Sequence, residues 1–448
     1  MSTAQALGSP AGNRWFMRRL TLATAWGEGL DGYDLGGISV AIPLIIIDLH
    51  TSAVVIGFIG ASSLIGIFFG APLFGYLTDR FGRRRIFTLD LVAFLIFGLL
   101  QLFVANAWQL LLVRVAIGLA IGAEYAVGAP MLAEFAPAKG RGNRLAGLEF
   151  CWYIGYLVSV IVAYAILAAS HHWRWVLASS VVPAAICLVM RLGLPESPRW
   201  LMSQGRVDEA HAVVAAHLGG DAYFRQEDFG EEQVRPGSFK QLFGRGLRKR
   251  TAFVCIFWAC LVAPYFAIFT FAPEVLKALS ISDPRAATIT LNGVAALGAL
   301  AGMFIIDRFG RRKVLIVPFW ITASALLVIG LWTHAPGVVI VVAFMVFSFF
   351  NAVQGDLTAV YPNEVFPTDV RTTGVGVASA ASRVGAAIGT FLLPVSLSRI
   401  GVGPTMVIAA AICVAGAVVS HAWAPETTGL SLSKASALPS SRVAAQLT

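Results

Sequence analysis

Charge is scarce in this chain. Only 13% of its 448 residues are Asp, Glu, Lys or Arg, whereas 57% are apolar and the mean hydropathy is +0.77. Soluble domains carry roughly twice that charged fraction. A water-soluble fold could not bury so much apolar surface, so the composition excludes an ordinary soluble protein and indicates one whose surface faces lipid.

The sequence also lacks the motifs of common catalytic and metal sites. It contains no Gly-Lys-Ser/Thr phosphate loop and no His-Glu-x-x-His motif, so neither ATP-driven transport nor zinc chemistry is supported. The 7 histidines are scattered, and the 5 cysteines lie in apolar runs without the spacing of metal ligands. We therefore expect no enzyme activity, no cofactor and no metal.

The net charge of +9 does not point to nucleic acid, because the chain has neither a polybasic tail nor a recognition helix. Its Lys and Arg residues stand in short loops between apolar stretches, as in the cytoplasmic loops of membrane proteins. We expect a lipid bilayer around the protein and no nucleic-acid partner. The basic N-terminus has no cleavage site after a short apolar core, so we interpret it as a lead-in to the first helix, not a signal peptide.

Twelve apolar stretches predict transmembrane helices, because each supplies the roughly 20 residues that cross the hydrocarbon core. We therefore predict an all-α membrane protein. Its predicted spans are residues 20–47, 52–78, 84–104, 107–135, 143–169, 173–194, 251–279, 286–306, 313–333, 336–361, 371–398 and 402–423.

Basic and neutral loops alternate between these spans. The loops after the second, fourth and eighth spans are basic, and the alternate loops are nearly free of Lys and Arg. The positive-inside rule therefore predicts that both termini and the central loop are cytoplasmic.

The two halves of the sequence repeat each other. Asp79-Arg-Phe-Gly-Arg-Arg recurs from Asp307, Glu134…Pro137…Arg141 recurs from Glu364, and Pro195-Glu-Ser recurs as Pro425-Glu-Thr, each roughly 230 residues later. Two parallel six-helix repeats imply a central site between them, near the membrane midplane. We predict an N-terminal bundle at 1–194, a cytoplasmic central loop at 195–250, a C-terminal bundle at 251–424 and a cytoplasmic tail at 425–448.

These motifs resemble those of the major facilitator superfamily over nearly the whole chain. The run from Gly75 to Arg84 is similar to its loop signature, and Arg114, Gly118 and Gly122 match the basic–glycine stripe of its fourth helix. Gly32-Tyr-Asp34 and the two Pro-Glu-Ser/Thr motifs resemble the branch of sugar porters and related metabolite–proton symporters. The resemblance implies two pseudo-symmetric six-helix bundles, alternating access and secondary transport.

The seventh span departs from the sugar porters. Where those carry glutamines and an asparagine that bind hexose, this chain has the apolar and aromatic run from Cys260 to Phe266. The runs Asp31-Gly-Tyr-Asp34 and Gly122-Ala-Glu124, together with Arg383, resemble instead the porters of aromatic acids and other organic metabolites. The resemblance leaves the substrate open between a sugar or polyol and an aromatic or other organic acid.

Three acids stand in the first span. Glu28, Asp31 and Asp34 are three residues apart, so they lie along one helix face. Carboxyl groups this close in an apolar interior cannot all be ionised, and at least one should hold a proton. We predict that they couple transport to protons, with Asp34 as the main coupling acid and Arg114, which the resemblance places opposite it, as its counter-charge. The alternative is a set of fixed structural ion pairs.

Other polar and aromatic residues stranded in apolar spans are candidates for the wall of a substrate cavity. Arg383 would suit a carboxylate, whereas the acids among them would suit a cation or a hydroxyl-rich solute, so the residues leave the substrate open. For each aromatic residue, ordinary packing is the alternative. The candidates are Glu124, Tyr125, Glu149, Trp152, Tyr153, Tyr156, Trp258, Tyr265, Asn351, Gln354, Asp356 and Arg383.

The basic loop motifs and their partners are predicted to close the cytoplasmic side by ion pairs and contacts with helix ends. The alternative is that they only mark topology. The gating candidates are Gly75, Asp79, Arg80, Gly82, Arg83, Arg84, Glu134, Arg141, Asp307, Arg308, Arg311, Glu364 and Arg371.

Together these observations predict a secondary active transporter, a monomer in a bacterial cytoplasmic membrane, that couples protons to the symport of a small organic solute. An exporter of drugs or metabolites, and a solute receptor of the same fold that does not transport, are the alternatives.

Overall fold

The computed structural model describes residues 10–135, 141–170, 172–218, 239–244, 246–367, 370–430 and 435–436. In this part of the chain, twelve helices are long and apolar enough to cross a membrane, and no β-strand is present. The prediction of an all-α, twelve-span protein is confirmed. The helices are α1 Pro10–Asp48, α2 Ala53–Phe81, α3 Arg83–Leu100, α4 Ala107–Phe135, α5 Arg141–Ser170, α6 Trp173–Arg191, α7 Arg248–Thr270, α8 Pro284–Phe309, α9 Arg311–Leu331, α10 Gly337–Val365, α11 Arg371–Ile400 and α12 Val402–Trp423.

Equivalent helices pack against each other in the two halves. In the first half α2 packs on α4 and α1 on α5, and in the second half the corresponding helices α8 and α10, and α7 and α11, pack in the same way. The halves meet along two further symmetric contacts, α2 with α11 and α5 with α8. This arrangement is the pair of pseudo-symmetric bundles that the sequence repeats predict.

Glycines bring α2 and α4 into backbone contact. A Cβ on Gly118 would lie 2.1 Å from the carbonyl oxygen of Ser63, and one on Gly66 would lie 2.2 Å from that of Val115. No larger residue fits at these positions without moving a helix, which explains the glycine stripe of α4 as close packing.

The seventh predicted span is interrupted. α7 ends at Thr270, Phe271 leaves helical geometry, and a short helix Ala272–Ala278 follows. Pro273 explains the break, because it has no N–H to donate and its ring clashes with the carbonyl four residues earlier. The continuous helix predicted over residues 251–279 is in this respect wrong.

The described residues of the segment between the halves include three short helices. They are Pro198–Ser203, Val207–His217 and Phe239–Leu242. Ser197 caps the first of them, since its hydroxyl accepts a hydrogen bond from the Trp200 N–H.

Candidate functional site

The repeated loop motifs form the same structure in both halves. The Glu196 carboxylate accepts hydrogen bonds from the backbone N–H of Arg83 (2.9 Å) and of the next residue (3.2 Å), at the start of α3. Glu426 accepts the equivalent bonds from Arg311 (3.0 Å) and the residue after it (3.2 Å), at the start of α9. A carboxylate here satisfies orphan N–H groups and faces the positive end of the helix dipole. The two Pro-Glu-Ser/Thr motifs are therefore helix caps.

Glycine is required between the paired helices of each motif. Gly82 and Gly310 have φ values of 98° and 90°, a region that L side chains rarely adopt. A Cβ would also lie 2.4 Å and 2.8 Å, respectively, from an oxygen of the capping Glu196 and Glu426. These glycines supply both the turn and the space for the cap.

Each motif also contains an arginine that ties neighbouring helices together. Arg83 pairs with Glu134 (Nη2 to Oε1 3.5 Å) and donates to the carbonyl of Thr78. Arg311 pairs with Glu364 (3.1 Å) and with Asp307 (2.7 Å). These ion pairs lie within one half each, so they fix α2 against α4 and α8 against α10.

The remaining gating candidates make fewer contacts. Arg80 and Arg308 are exposed, each about 6 Å from the ring of the phenylalanine that follows it. Arg84 contributes through its backbone N–H, and a Cβ on Gly75 would meet only Ala126 at 3.9 Å. Three side chains lie outside the described residues, namely those of Asp79, Arg141 and Arg371.

Asp34 and Arg114 lie together, as predicted. Asp34 on α1 and Arg114 on α4 form an ion pair of 3.4 Å (Oδ2 to Nη2), with side chains 1% and 0% exposed. Arg114 Nε and Nη1 have no hydrogen-bond partner among the described residues. A single long contact therefore joins the two buried charges. Protonation of Asp34 would remove the attraction between them.

A second buried charge network surrounds Arg191 of α6. Its Nη2 donates to Glu124 Oε1 of α4 (2.6 Å), and its Nη1 donates to Asp90 Oδ2 of α3 (3.3 Å) and to the carbonyl of Phe87 (2.9 Å). All three charged side chains are at most 2% exposed. The network joins three helices of the first half.

The other two acids of α1 lie beside this network. Asp31 is fully buried, and neither of its carboxyl oxygens has a hydrogen-bond partner among the described residues. It is close enough to Glu124, Asp90 and Arg191 for electrostatic interaction. Glu28, 4% exposed, interacts in the same way with Arg191 and with Arg383 of the second half. The three acids of α1 therefore face two separate arginines of the first half.

A cavity lies between the halves. Its volume is about 30 Å³, enough for roughly two water molecules. Aromatic side chains and two ionisable ones form most of the wall, and the space is too small for an organic solute unless the halves part. The lining residues are Tyr125, Glu149, Trp152, Tyr153, Trp258, Leu261, Val262, Tyr265, Phe266, Thr358 and Arg383.

Arg383 is the cation of this wall. Its guanidinium carbon lies 4.7 Å from the centre of the Tyr125 ring and 5.6 Å from that of Phe266. The side chain is 3% exposed, and no carboxylate among the described residues forms an ion pair with it. A buried arginine held by two aromatic rings, with Glu28 and Glu149 near enough for electrostatic interaction but without an ion pair, offers its guanidinium to an anionic group.

Five predicted substrate residues lie away from the cavity wall. Glu124 is held by Arg191, and the Tyr156 ring packs against Trp152 (5.6 Å) and Phe269 (6.2 Å). The other three lie in α10: Asn351, which donates to the carbonyl of Leu261 (3.2 Å), Gln354 and Asp356. The other seven predicted substrate residues lie in the cavity wall in this conformation.

Sequence reasoning missed six residues of these sites. Asp90 carried a signal, since a lone acid in an apolar span calls for a function. Arg191 stands at the end of α6, where a basic residue looks like a topological marker. Nothing in the local sequence separates the four other residues from ordinary core positions, namely Leu261, Val262, Phe266 and Thr358.

Known proteins with similar sequences are transporters. The sequence profile of the family "Sugar (and other) transporter" matches residues 20–438. YaaU and YgcS of Escherichia coli K12, named as metabolite transport proteins, are 36% and 35% identical to this chain, over 94% and 93% of both sequences. The niacin transporter NiaP of Acinetobacter baylyi is 29% identical over 80% of this chain and 83% of its own.

The fold is also similar to that of a transporter of known structure. A structure of the proton:xylose symporter XylE superposes with a TM-score of 0.81 and 24% identity, covering 94% of this chain and 99% of that one. The family match and the transporter relatives, together with the twelve-helix fold, identify a membrane transporter of the major facilitator superfamily. Within it, the chain belongs to the sugar (and other) transporter family, and its substrate is a small molecule. The predicted resemblance is confirmed.

Proposed function

We propose that this protein is a proton-coupled symporter that carries a small organic acid inward by alternating access. The observation that carries the proposal is Arg383, a buried arginine in the central cavity that forms no ion pair with a carboxylate of the described residues. An anion that enters the cavity supplies the missing partner, and a charge-assisted, bidentate contact with a guanidinium suits a carboxylate.

The surroundings of Arg383 favour a flat solute. Tyr125 and Phe266 lie against the guanidinium, and Trp152, Tyr153 and Tyr265 form a cluster with ring centroids 5.2 to 5.9 Å apart. Offset and edge contacts of this kind accept an aromatic ring well. The niacin carried by the relative NiaP is such a molecule, an aromatic ring with one carboxylate.

Proton coupling rests on the Asp34–Arg114 pair. Arginine stays charged, so only Asp34 can change its charge state within the pair. Protonation of Asp34 removes the attraction that joins α1 to α4, and deprotonation restores it. A charge pair that opens and closes with one proton gives the first half two arrangements, which alternating access needs.

We further propose a bacterial cytoplasmic membrane, cytoplasmic termini and action as a monomer. The basic loops support the orientation, and the name of YgcS, an inner membrane protein, supports the location. The cavity walls come from both halves of one chain, so the site is complete in a monomer. The ion pairs of Arg83 and Arg311 are proposed to hold the cytoplasmic ends of the helices in this closed arrangement.

The test is ligand-induced stabilisation of the purified protein by benzoate, nicotinate, D-xylose and choline. A compound that binds the folded state at 100 times its Kd adds about 2.7 kcal/mol of stability. We expect benzoate or nicotinate to raise the unfolding midpoint, and Arg383→Ala to abolish the rise. Arg399→Ala, an exposed position on the same helix, is the matched control and should retain it.

A sugar or polyol is the second candidate. The hydroxyls of Tyr153 and Thr358 and the Glu149 carboxyl offer hydrogen bonds in the same wall, and the structural neighbour XylE carries xylose. Stabilisation by D-xylose alone would replace the organic-acid proposal with this one, and carboxylate binding that survives Arg383→Ala would overturn the role proposed for Arg383.

A further inference from the structure

The Arg191 network is built into the packing of α1. A Cβ on Gly27 would lie 2.0 Å from Arg191 Nη2 and 2.2 Å from Glu124 Oε1, so this pair rests directly on the backbone of α1. Asp31 stands one helical turn further along the same face. Its fully buried carboxyl group therefore points along the face that the network occupies.

The charges around Asp31 do not balance. Arg191 is already bound by two acids, Glu124 (2.6 Å) and Asp90 (3.3 Å), so this trio carries one negative charge when both acids are ionised. An ionised Asp31 would add another beside it, without a hydrogen bond or ion pair from the described residues. Burial of an uncompensated carboxylate is strongly unfavourable, whereas a bound proton makes the group neutral.

We propose that Asp31, together with the Arg191 network, forms a second proton-binding site of the first half, separate from the Asp34–Arg114 pair. The inference rests on the proposed proton-coupled function and deepens it, because the first half then carries up to two protons in each cycle. Arg191 sets the affinity of the site, since the charge on its two carboxyl partners decides how much of its positive charge reaches Asp31.

The two sites are distinct in their partners. Asp31 and Asp34 themselves are three residues apart, about 4.5 Å along the axis of α1. Arg191 belongs to α6 and Arg114 to α4, and no described residue is shared between their ion pairs.

A proton fits the Asp31 site better than a metal ion. The guanidinium of Arg191 occupies the place between the acids that a cation would take, and the described residues contain no group placed to hold a metal. The titratable and charged groups of the described residues that face Asp31 come from four helices, namely Glu28, Asp90, Glu124, Tyr125, Cys187 and Arg191.

The test is infrared difference spectroscopy of the purified protein in lipid, titrated between about pH 5 and about pH 9. The carbonyl stretch of a protonated carboxyl group is absent from its ionised form. We expect Asp31→Asn to remove one carbonyl band, Asp34→Asn to remove a different one, and the double variant to remove both. Asp208→Asn, at an exposed position between the halves, is the control and should leave both bands.

Two further variants keep the test decisive. Asp31→Glu should retain a protonated carboxyl at a shifted frequency, and Glu124→Gln should shift the Asp31 band while the Asp34 band stays. The inference is overturned if folded Asp31→Asn loses no carbonyl band, or if both single variants lose the same band. It is also overturned if sodium chloride, instead of protons, shifts the Asp31 band. Failure of Asp34→Asn to lose a band contradicts the proposed coupling instead, and leaves the Asp31 result standing.

Discussion

At the scale of single residues, buried arginines organise the interior of this protein. Arg114, Arg191 and Arg383 are each at most 3% exposed, and each meets a different environment: one acid, two acids, or two aromatic rings. Since an arginine cannot lose its charge, the number of acids beside it decides whether the site is balanced, needs a proton or needs an anion. We propose that these three arginines serve three different functions along one apolar core.

Gly27 is the residue on which the second network depends. Gly27→Ala would place a methyl group 2.0 Å from Arg191 Nη2, so the ion pair with Glu124 must break or α1 must move. Loss of a buried pair costs about 3 kcal/mol or more, and we expect a clear drop in the unfolding midpoint of the purified protein. Gly293→Ala in α8 has open space around the new Cβ and should leave the midpoint nearly unchanged. Equal effects of the two variants would contradict this account.

In the proposed mechanism, Asp34 is the residue on which proton coupling depends. Asp34→Asn removes the charge that Arg114 attracts but keeps the shape of the side chain. We expect uptake of the stabilising carboxylate into proteoliposomes to lose its dependence on an imposed pH gradient, while exchange of that carboxylate across the membrane continues. The measurement compares uptake with and without the gradient. Full gradient-driven accumulation in the variant would show that another acid carries the proton.

At the scale of elements, the capped starts of α3 and α9 explain why three short motifs repeat. The Asp-Arg-Phe-Gly-Arg loop, the glutamate of the fourth or tenth helix and the Pro-Glu-Ser/Thr motif converge on one arginine and one helix end in each half. The repeats are therefore one structural unit present twice. Their shared geometry fixes the angle between consecutive helices in each bundle.

Removal of the caps should weaken each half separately. Glu196→Gln and Glu426→Gln each lose one charged acceptor at a helix N-terminus, which costs about 1 kcal/mol. The effects should add in the double variant, because the caps lie in different halves. Glu209→Gln, which removes only an exposed ion pair with Arg206, is the control. A double variant no less stable than either single one would contradict the assignment.

The cap also predicts an acid-dependent loss of stability. Partial burial alone would raise the pKa of Glu426, but hydrogen bonds from Thr428 and from the N–H groups of Arg312 and Arg311 outweigh it and lower that pKa. An acid whose pKa is lowered by folding stabilises the protein above its unfolded pKa, and this stability is lost as the pH falls through the folded pKa. Thermal unfolding of Glu426→Gln should therefore be less sensitive to acid than that of the unmodified protein.

At the scale of the whole molecule, the two halves meet through α2 with α11 and through α5 with α8. The short helix Ala272–Ala278 extends this junction, since it contacts α1 of the first half and α8 of the second. It contains Glu274, whose two carboxyl oxygens are buried without a hydrogen-bond partner among the described residues. The protonation of Glu274 therefore depends on how closely the two halves pack at this junction.

Glu274 should make stability depend on pH in the opposite direction to Glu426. Burial raises the pKa of Glu274 from 4.5 to about 7, and its own backbone N–H and Lys277 offset only part of the shift. The folded state binds this proton more tightly, so the stabilisation is complete below the unfolded pKa and is lost as the pH rises to about 7. We expect the unfolding midpoint to fall across that window, and Glu274→Gln to flatten the fall. An unchanged pH profile in the variant would contradict a buried acid at the junction.

The sequence by itself determined the twelve helices and their division into halves, whereas the pairing of Asp34 with Arg114, which lie on different helices, follows only from the family resemblance. Hydropathy decides where a chain can cross a bilayer, because each unpaired backbone group in lipid is costly and only a complete apolar helix avoids that penalty. The repeated motifs are local, so their spacing already revealed that the same unit occurs twice. The predictions derived from these features hold because they depend on one helix or one loop at a time.

Only the tertiary structure decided which buried charges meet. Glu124 and Tyr125 are adjacent in the sequence, yet Glu124 binds Arg191 inside the first half while Tyr125 lies against Arg383 in the cavity between the halves. Neighbours on a helix point about 100° apart, so what each one contacts depends on which helices pack on its two sides. That packing is set by glycines such as Gly27 and by contacts between distant helices, and no local pattern in the sequence contains it.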